Sequence, residues 1–377
     1  MKIVYLISDI TKVGGREKIV LRKANSLAKL GFSVSIVSYF SSSNRLTETE
    51  NLKFYSIGIN SSNRSGFNLI RHISNKFVFK RELEDLLCKI QPDILITMVE
   101  DYIDETQKIC LRKGIRSILE LHGSFDYYRG IIKSGYIKDL IKTIIRYVNF
   151  RLLKSTMKRF DFVILLSSID SKKWGLVNSF VIPNYFESSE VNAKFNSDSS
   201  RFLSAGRLTK EKGFDILIES WGRLKQQGVN YHLDIYGDGP QYEKLVNKID
   251  QLNLNENVCI KPFTDDFVSI IPSYSCFVLA SRYEAFPMVI LESVSNGLPI
   301  ISFNLECGIR DMVIDNFNGY LVQPFDTEKL AERVISLGAN QELRQHFSAK
   351  SLDIAKKFHH DNVISLWLKL FELIPSK

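Results

Sequence analysis

Two glutamates frame an apolar run in SRYEAFPMVILESVSNGLPI, residues 281 to 300, with Glu284 ahead of it and Glu292 within it. On one straight helix, eight residues would set them apart by about 80° of rotation and about 12 Å of rise, too far to grip one small atom together. That spacing disfavours the carboxyl pair of a glycoside hydrolase, which stands roughly 5 to 9 Å apart across the scissile bond. Glu292 instead suits a nucleotide ribose, held by bidentate hydrogen bonds, and Glu284, nearer the preceding loop, suits a transferred sugar or its phosphate. The plain alternative is that both are polar trim on a packed helix.

Cations stand where such a ligand would need them. In SAGRLTKEKGFD (204 to 215), Arg207 and Lys212 follow a strand-like segment and flank a polar turn. Two fixed charges there are placed to hold a pyrophosphate and to stabilise its departure; solvated loop charges are the alternative. In TKVGGREK (11 to 18), Gly14 and Gly15 lie between a strand and a helix, where free backbone amides favour an anion. The pattern is neither GxGxxG nor a P-loop. YGDGPQYEK opens at Gly237 a second glycine pair around Asp238, which either receives a nucleoside or closes a turn. His122, in ELHGSFDYY at a strand end, suits a contact to a sugar hydroxyl or a phosphate, or satisfies itself within a loop. HExxH, a thiolate cluster and GxSxG are all missing from the sequence, so zinc and serine-hydrolase chemistry lack local support.

The elements that must carry these residues alternate. KIVYLI reads as a buried parallel strand, EKIVLRKANSLAKLG as a helix and FSVSIVSY as a strand, a βαβ unit. Further strands are expected at LKFYSIG, DILITM, RSILELHG and FDFVILLS, with helical spacing at 76 to 90 and 101 to 113. After the polar stretch SEVNAKFNSDSS a second series begins, with RFLSAGRL, YHLDIYG, NVCIKPF, CFVLAS, LPIISF and GYLVQP as strands. PQYEKLVNKIDQLN reads as a helix with its proline at the first helical position. The expectation is an α/β fold of two Rossmann-like domains, 1–181 and 182–358, facing a central cleft, with a C-terminal helix in 359–377 packing back on the first. Ligands in such sheets bind beyond the carboxyl ends of the strands.

The 377 residues carry a net charge of +8, unevenly distributed. Residues 1 to 180 hold 30 Lys and Arg against 17 Asp and Glu, whereas the remainder is net acidic. Within the basic half, KSGYIKDLIKTIIRYVNFRLLKSTMKRF (133 to 160) interleaves cations with apolar side chains, as an interfacial helix on anionic lipid would, or a core helix with a solvated face. No nucleic-acid-binding motif accompanies the charge. Five scattered cysteines, never as CxxC, argue for a reducing compartment, and the N-terminus lacks a signal-peptide pattern.

Taken together, SRYEAFPMVILESVSNGLPIISF, the GG loop, AGRLTKEKGFD, YGDGP and NGYLV resemble a retaining nucleotide-sugar glycosyltransferase of the large bacterial family four, with GT-B architecture. The resemblance runs from Gly14 to about Val322. It implies an acceptor domain followed by a donor domain, with Arg207 and Lys212 on the donor pyrophosphate and Gly15 approaching it from the first domain. It also implies Glu284 near the donor sugar and phosphate, Glu292 on the ribose and His122 on the transferred sugar. No metal cofactor is expected: a UDP-sugar would donate a hexose or N-acetylhexosamine to a lipid-linked or surface-glycan acceptor at the inner face of the cytoplasmic membrane. Two departures stand out, Ala285 where glycine is common and Gly308-Ile309-Arg310-Asp311 where relatives carry Gly-Pro-Arg/Ser-Glu. The competing readings are an epimerase or phosphorylase of the same fold, and a non-catalytic glycan- or membrane-binding subunit.

Overall fold

A computed structural model describes residues 1–10, 15–40, 48–59, 69–99, 101–129, 137–187 and 200–374. The chain forms two compact units. Met1–Leu166, Ser171–Ile182 and Ile364–Lys377 make the first; Ser167–Asp170 and Pro183–Val363 make the second.

The first unit is built on strands β1 (Lys2–Ile7), β2 (Ser33–Phe40), β3 (Leu52–Ile59), β4 (Ile94–Thr97), β5 (Arg116–Leu121), β6 (Phe162–Leu165) and β7 (Ser179–Val181). They form one sheet in the order β3-β2-β1-β4-β5-β6-β7, and every neighbouring pair is parallel. Helices α1 (Gly15–Lys29), α2 (Leu69–Ile90), α3 (Ile103–Lys113), α4 (Phe125–Arg129), α5 (Ile137–Met157) and α6 (Ser168–Trp174) connect them. Because both faces of such a sheet are covered, its strands read as continuous apolar runs: Ile3 to Ile7 are all buried.

The second unit repeats the plan with β8 (Arg201–Ala205), β9 (His232–Tyr236), β10 (Val258–Lys261), β11 (Cys276–Leu279), β12 (Ile300–Phe303) and β13 (Gly319–Val322), in the order β10-β9-β8-β11-β12-β13. Its helices are α7 (Phe214–Gln226), α8 (Tyr242–Gln251), α9 (Phe267–Ile270), α10 (Met288–Ser295), α11 (Ile309–Met312), α12 (Thr327–Ala339) and α13 (Gln341–Ala355), and α14 (His360–Glu372) carries the chain back into the first unit. Trp221 of α7 packs edge-on to Phe202 of β8 at 5.6 Å and donates its indole N–H to the Tyr231 carbonyl at 3.0 Å. The first unit receives α14 through Phe371, 5.8 Å from Phe32.

Two helix expectations shift. The helix after YGDG starts at Tyr242, so Pro240 precedes it in a turn where the Gln241 N–H donates to the Leu208 carbonyl at 2.9 Å. The glutamates 284 and 292 do not share a helix. Pro287, extended at ψ 112, is the N-cap of α10, and proline bars the residue before it from helical geometry. Glu284 therefore belongs to a loop, and the straight-helix separation does not describe the pair.

Candidate active site

Each sheet reverses its strand order once, between β1 and β4 in the first unit and between β8 and β11 in the second. The carboxyl ends of the strands at such a reversal are where ligands bind in open α/β sheets. In the second unit those ends lead directly into Arg207 and Lys212 on one side, and into Ser281 and Glu284 on the other.

Gly213 brings the two loops together. It ends the 3₁₀ turn Lys210–Lys212 and caps α7 in the left-handed conformation, φ +66°. A Cβ there would lie 1.9 Å from the Ala280 carbonyl oxygen, so only glycine lets the turn lie against the end of β11. Lys212 Nζ then donates to Glu284 Oε1 at 2.7 Å, and Ser281 Oγ donates to the same oxygen at 2.7 Å. Arg282 staples the arrangement: its guanidinium forks onto Asp215 at 2.8 and 2.7 Å and donates to the Lys210 carbonyl at 2.7 Å. Partial burial would raise the Asp215 carboxyl, but the Arg282 hydrogen bonds and charge hold it below its ordinary range.

Around this centre, Arg207 is exposed on its loop. Glu292 is half-buried in the second turn of α10, where its backbone carbonyl accepts from Asn296 Nδ2 at 2.8 Å. Gly237 is buried at the end of β9, and a Cβ there would lie 2.0 Å from the Gly206 carbonyl oxygen. Its visible role is thus to let the loop after β9 cross the loop carrying Arg207. The departing segment also has a structural duty: the Gly308 N–H donates to the Ala285 carbonyl at 2.8 Å, tying α11 to the loop of Glu284.

In the first unit Gly15 opens α1 just after β1, whereas Gly14 lies outside the described residues. His122 follows β5, and its Nε2 pairs with Glu120 Oε1 at 2.9 Å. Glu120 Oε1 also takes Lys23 Nζ from α1. Burial would raise the Glu120 carboxyl, yet Lys23 and His122 push it down to about 2. Burial lowers the basicity of the His122 imidazole against the opposing pull of Glu120.

The structure thus brings Lys212 and Glu284 into direct contact, while His122 and Gly15 belong to the other unit. Ser281, the Arg282–Asp215 fork and the Lys23–Glu120 pair were missed in the sequence. Lys23 had a signal: it lies four residues from both Ile19 and Leu27, on the buried face of α1. Among the described residues, no group of three or more His, Cys, Asp and Glu could hold a metal ion. A cavity of about 800 Å³ in the first unit lies at the opposite, amino-terminal ends of its strands, beside Arg116 and Asp161, which already pair at 2.8 Å.

Fold, sites at strand reversals and sequence family converge on one class. Residues 186–352 match the family model of glycosyl transferases group 1, and the two parallel-sheet units have the GT-B fold of the solved glycosyltransferases they resemble. The chain is 26% identical to an uncharacterised glycosyltransferase of Haemophilus influenzae over 97% of this chain and 98% of the other. It is 27% identical to a poly(ribitol-phosphate) alpha-N-acetylglucosaminyltransferase of Staphylococcus aureus over 54% of this chain, spanning 42% of that longer protein. Among solved structures, Anabaena HepE in complex with UDP superposes with a TM-score of 0.78 at 16% identity, over 99% of this chain and 100% of that one, a likeness of fold.

Proposed function

We propose that the chain is a retaining family-four enzyme that moves a hexose or N-acetylhexosamine from a UDP-sugar to a glycan or lipid-linked acceptor in bacterial surface-polysaccharide synthesis. The observation that carries this reading is the Lys212–Glu284 contact at the strand reversal of the second sheet, with Arg207 exposed beside it. A pyrophosphate arriving there competes with Glu284 for the Lys212 ammonium. Lys212 and Arg207 then offset the charge that develops on the leaving nucleoside diphosphate, and Glu284 turns to the sugar. In this scheme the cations of the chain supply the leaving-group stabilisation without a metal. The leaving phosphate, on the face the acceptor hydroxyl approaches, takes the hydroxyl proton, which accounts for retention without a dedicated base. Glu292 binds the ribose. The UDP bound to HepE and the N-acetylglucosamine transferred by the staphylococcal relative support a UDP-sugar donor.

Calorimetric titration with UDP-, GDP- and dTDP-sugars, repeated on Glu292→Ala, tests the donor. Selective UDP-sugar binding, weakened at least ten-fold by the substitution, is the expected result. Binding of none of them by the wild-type chain would return the weight to a non-catalytic glycan-binding subunit.

A further inference from the structure

Within the second unit, the segment Ser281 to Glu284 is fastened to the turn Lys210–Lys212 almost residue by residue. The Arg282 N–H donates to the Glu211 carbonyl at 2.8 Å, the Arg282 guanidinium donates to the Lys210 carbonyl at 2.7 Å, and Glu284 accepts from Lys212 at 2.7 Å. Between Arg282 and Glu284 stands Tyr283, whose hydroxyl donates to the Glu211 carboxylate. Tyr283 is 42% exposed, so packing does little to fix its ring and the hydroxyl is its anchor.

Glu211 is an odd occupant of a turn that offers cations to a diphosphate. It lies between Arg207 and Lys212 in the chain, and a carboxylate there opposes the approach of a polyanion. What it gains is local. Its own backbone N–H and the Thr209 hydroxyl, then the Tyr283 hydroxyl and the Arg207 charge, hold the Glu211 carboxyl below its ordinary range against the opposing effect of partial burial. An ionised carboxylate has lone pairs for all three donors. We propose that Glu211 is a positioning residue: through Tyr283 it clamps the loop of Glu284 onto the turn of Lys212, so that both groups keep their register when a diphosphate enters between them. The identity of that anion rests on the donor-site reading above. Glu211 adds to the site a charge that works against donor affinity and hydrogen bonds that serve turnover.

A double-mutant cycle of Tyr283→Phe and Glu211→Ala in the full chain tests the clamp, read by steady-state sugar transfer, UDP calorimetry and hydrogen exchange at the Arg282 amide. Tyr283→Phe keeps the charge and removes the bond, so kcat should fall about ten-fold with UDP affinity within about two-fold of wild type. Glu211→Ala should lose as much kcat yet bind UDP more tightly, and the double variant should be no slower than Glu211→Ala alone. Glu211→Gln, which removes the charge and keeps an acceptor for Tyr283, should recover part of the kcat that Glu211→Ala loses. Wild-type kcat in Tyr283→Phe, effects that multiply in the double variant, or a Glu211→Ala chain that loses UDP affinity along with kcat would each overturn the proposal. The Arg282 amide, which donates to the Glu211 carbonyl, should exchange faster in Tyr283→Phe by on the order of ten-fold; unchanged protection would overturn the clamp as well. Exchange needs no substrate. A wild-type chain that binds no UDP-sugar therefore refutes the donor reading, while the Arg282 amide still decides the clamp.

Discussion

Glu284 and Lys212 are 72 residues apart and share a hydrogen bond of 2.7 Å, and in the proposed reaction each changes partner when a diphosphate arrives. Under the proposed function Arg207→Ala and Lys212→Ala should each lower kcat about 100-fold, because in that scheme they act where charge develops in the transition state. Glu292→Ala should instead mainly weaken donor binding. Steady-state kinetics paired with calorimetry separates the two, and equal effects on turnover and affinity in all three variants would reject this division of roles. A second expectation concerns pH. His122, packed by Glu120 and Lys23 and near Arg16, has its basicity lowered by burial, so the unfolded chain protonates this residue first as pH falls through about 6.5. The unfolded state then binds more protons, and stability falls with acidification. Glu120 adds to the loss as pH drops through about 4 towards its folded value of about 2. Denaturant-dependent hydrogen exchange of β5 between pH 7 and 5 should show this decline, and His122→Gln should flatten it. An equally steep decline in the variant would count against the assignment.

At the scale of the element, the decisive contact is a turn laid on a strand end. Gly213→Ala places a methyl 1.9 Å from the Ala280 carbonyl oxygen, in a backbone conformation that alanine disfavours. The turn must lift, taking Lys212 with it. The expected outcome is a destabilisation above about 1 kcal/mol together with a loss of turnover as deep as that of Lys212→Ala. Arg282→Lys probes the same joint more gently, since an ammonium cannot form the two-pronged bond to Asp215. An Arg282→Lys enzyme with wild-type kinetics would show that the fork does not position the site.

At the scale of the whole molecule, positive charge gathers in the first half of the chain. No described helix is long and apolar enough to cross a membrane. Yet α5 exposes Ile144, Ile145, Tyr147, Val148 and Leu152, with Leu152 at 60%, alongside the exposed cations Arg146 and Arg151. Lys138 and Lys142 lie among residues whose side chains fall outside the described ones. Apolar side chains flanked by guanidinium groups suit the headgroup boundary of an anionic bilayer. Flotation with vesicles containing phosphatidylglycerol should retain the wild-type chain, and Arg146→Gln with Arg151→Gln should release it. Recovery equal to that on zwitterionic vesicles would show that α5 does not dock on an anionic surface.

The sequence by itself determined the two alternating α/β series and the chemical types of the site residues. Buried parallel strands must be apolar throughout, and glycines mark where loops come close; both are local facts. It did not determine which charges meet. The proline that ends the loop of Glu284 was visible, but the partner of that glutamate was set by β8 and β11 lying side by side in the sheet. Likewise Lys23 and Glu120, 97 residues apart, meet only because α1 packs against the sheet that contains β5. Pairing of buried charges depends on distances across the fold, and periodicity along one element carries no information about the element opposite.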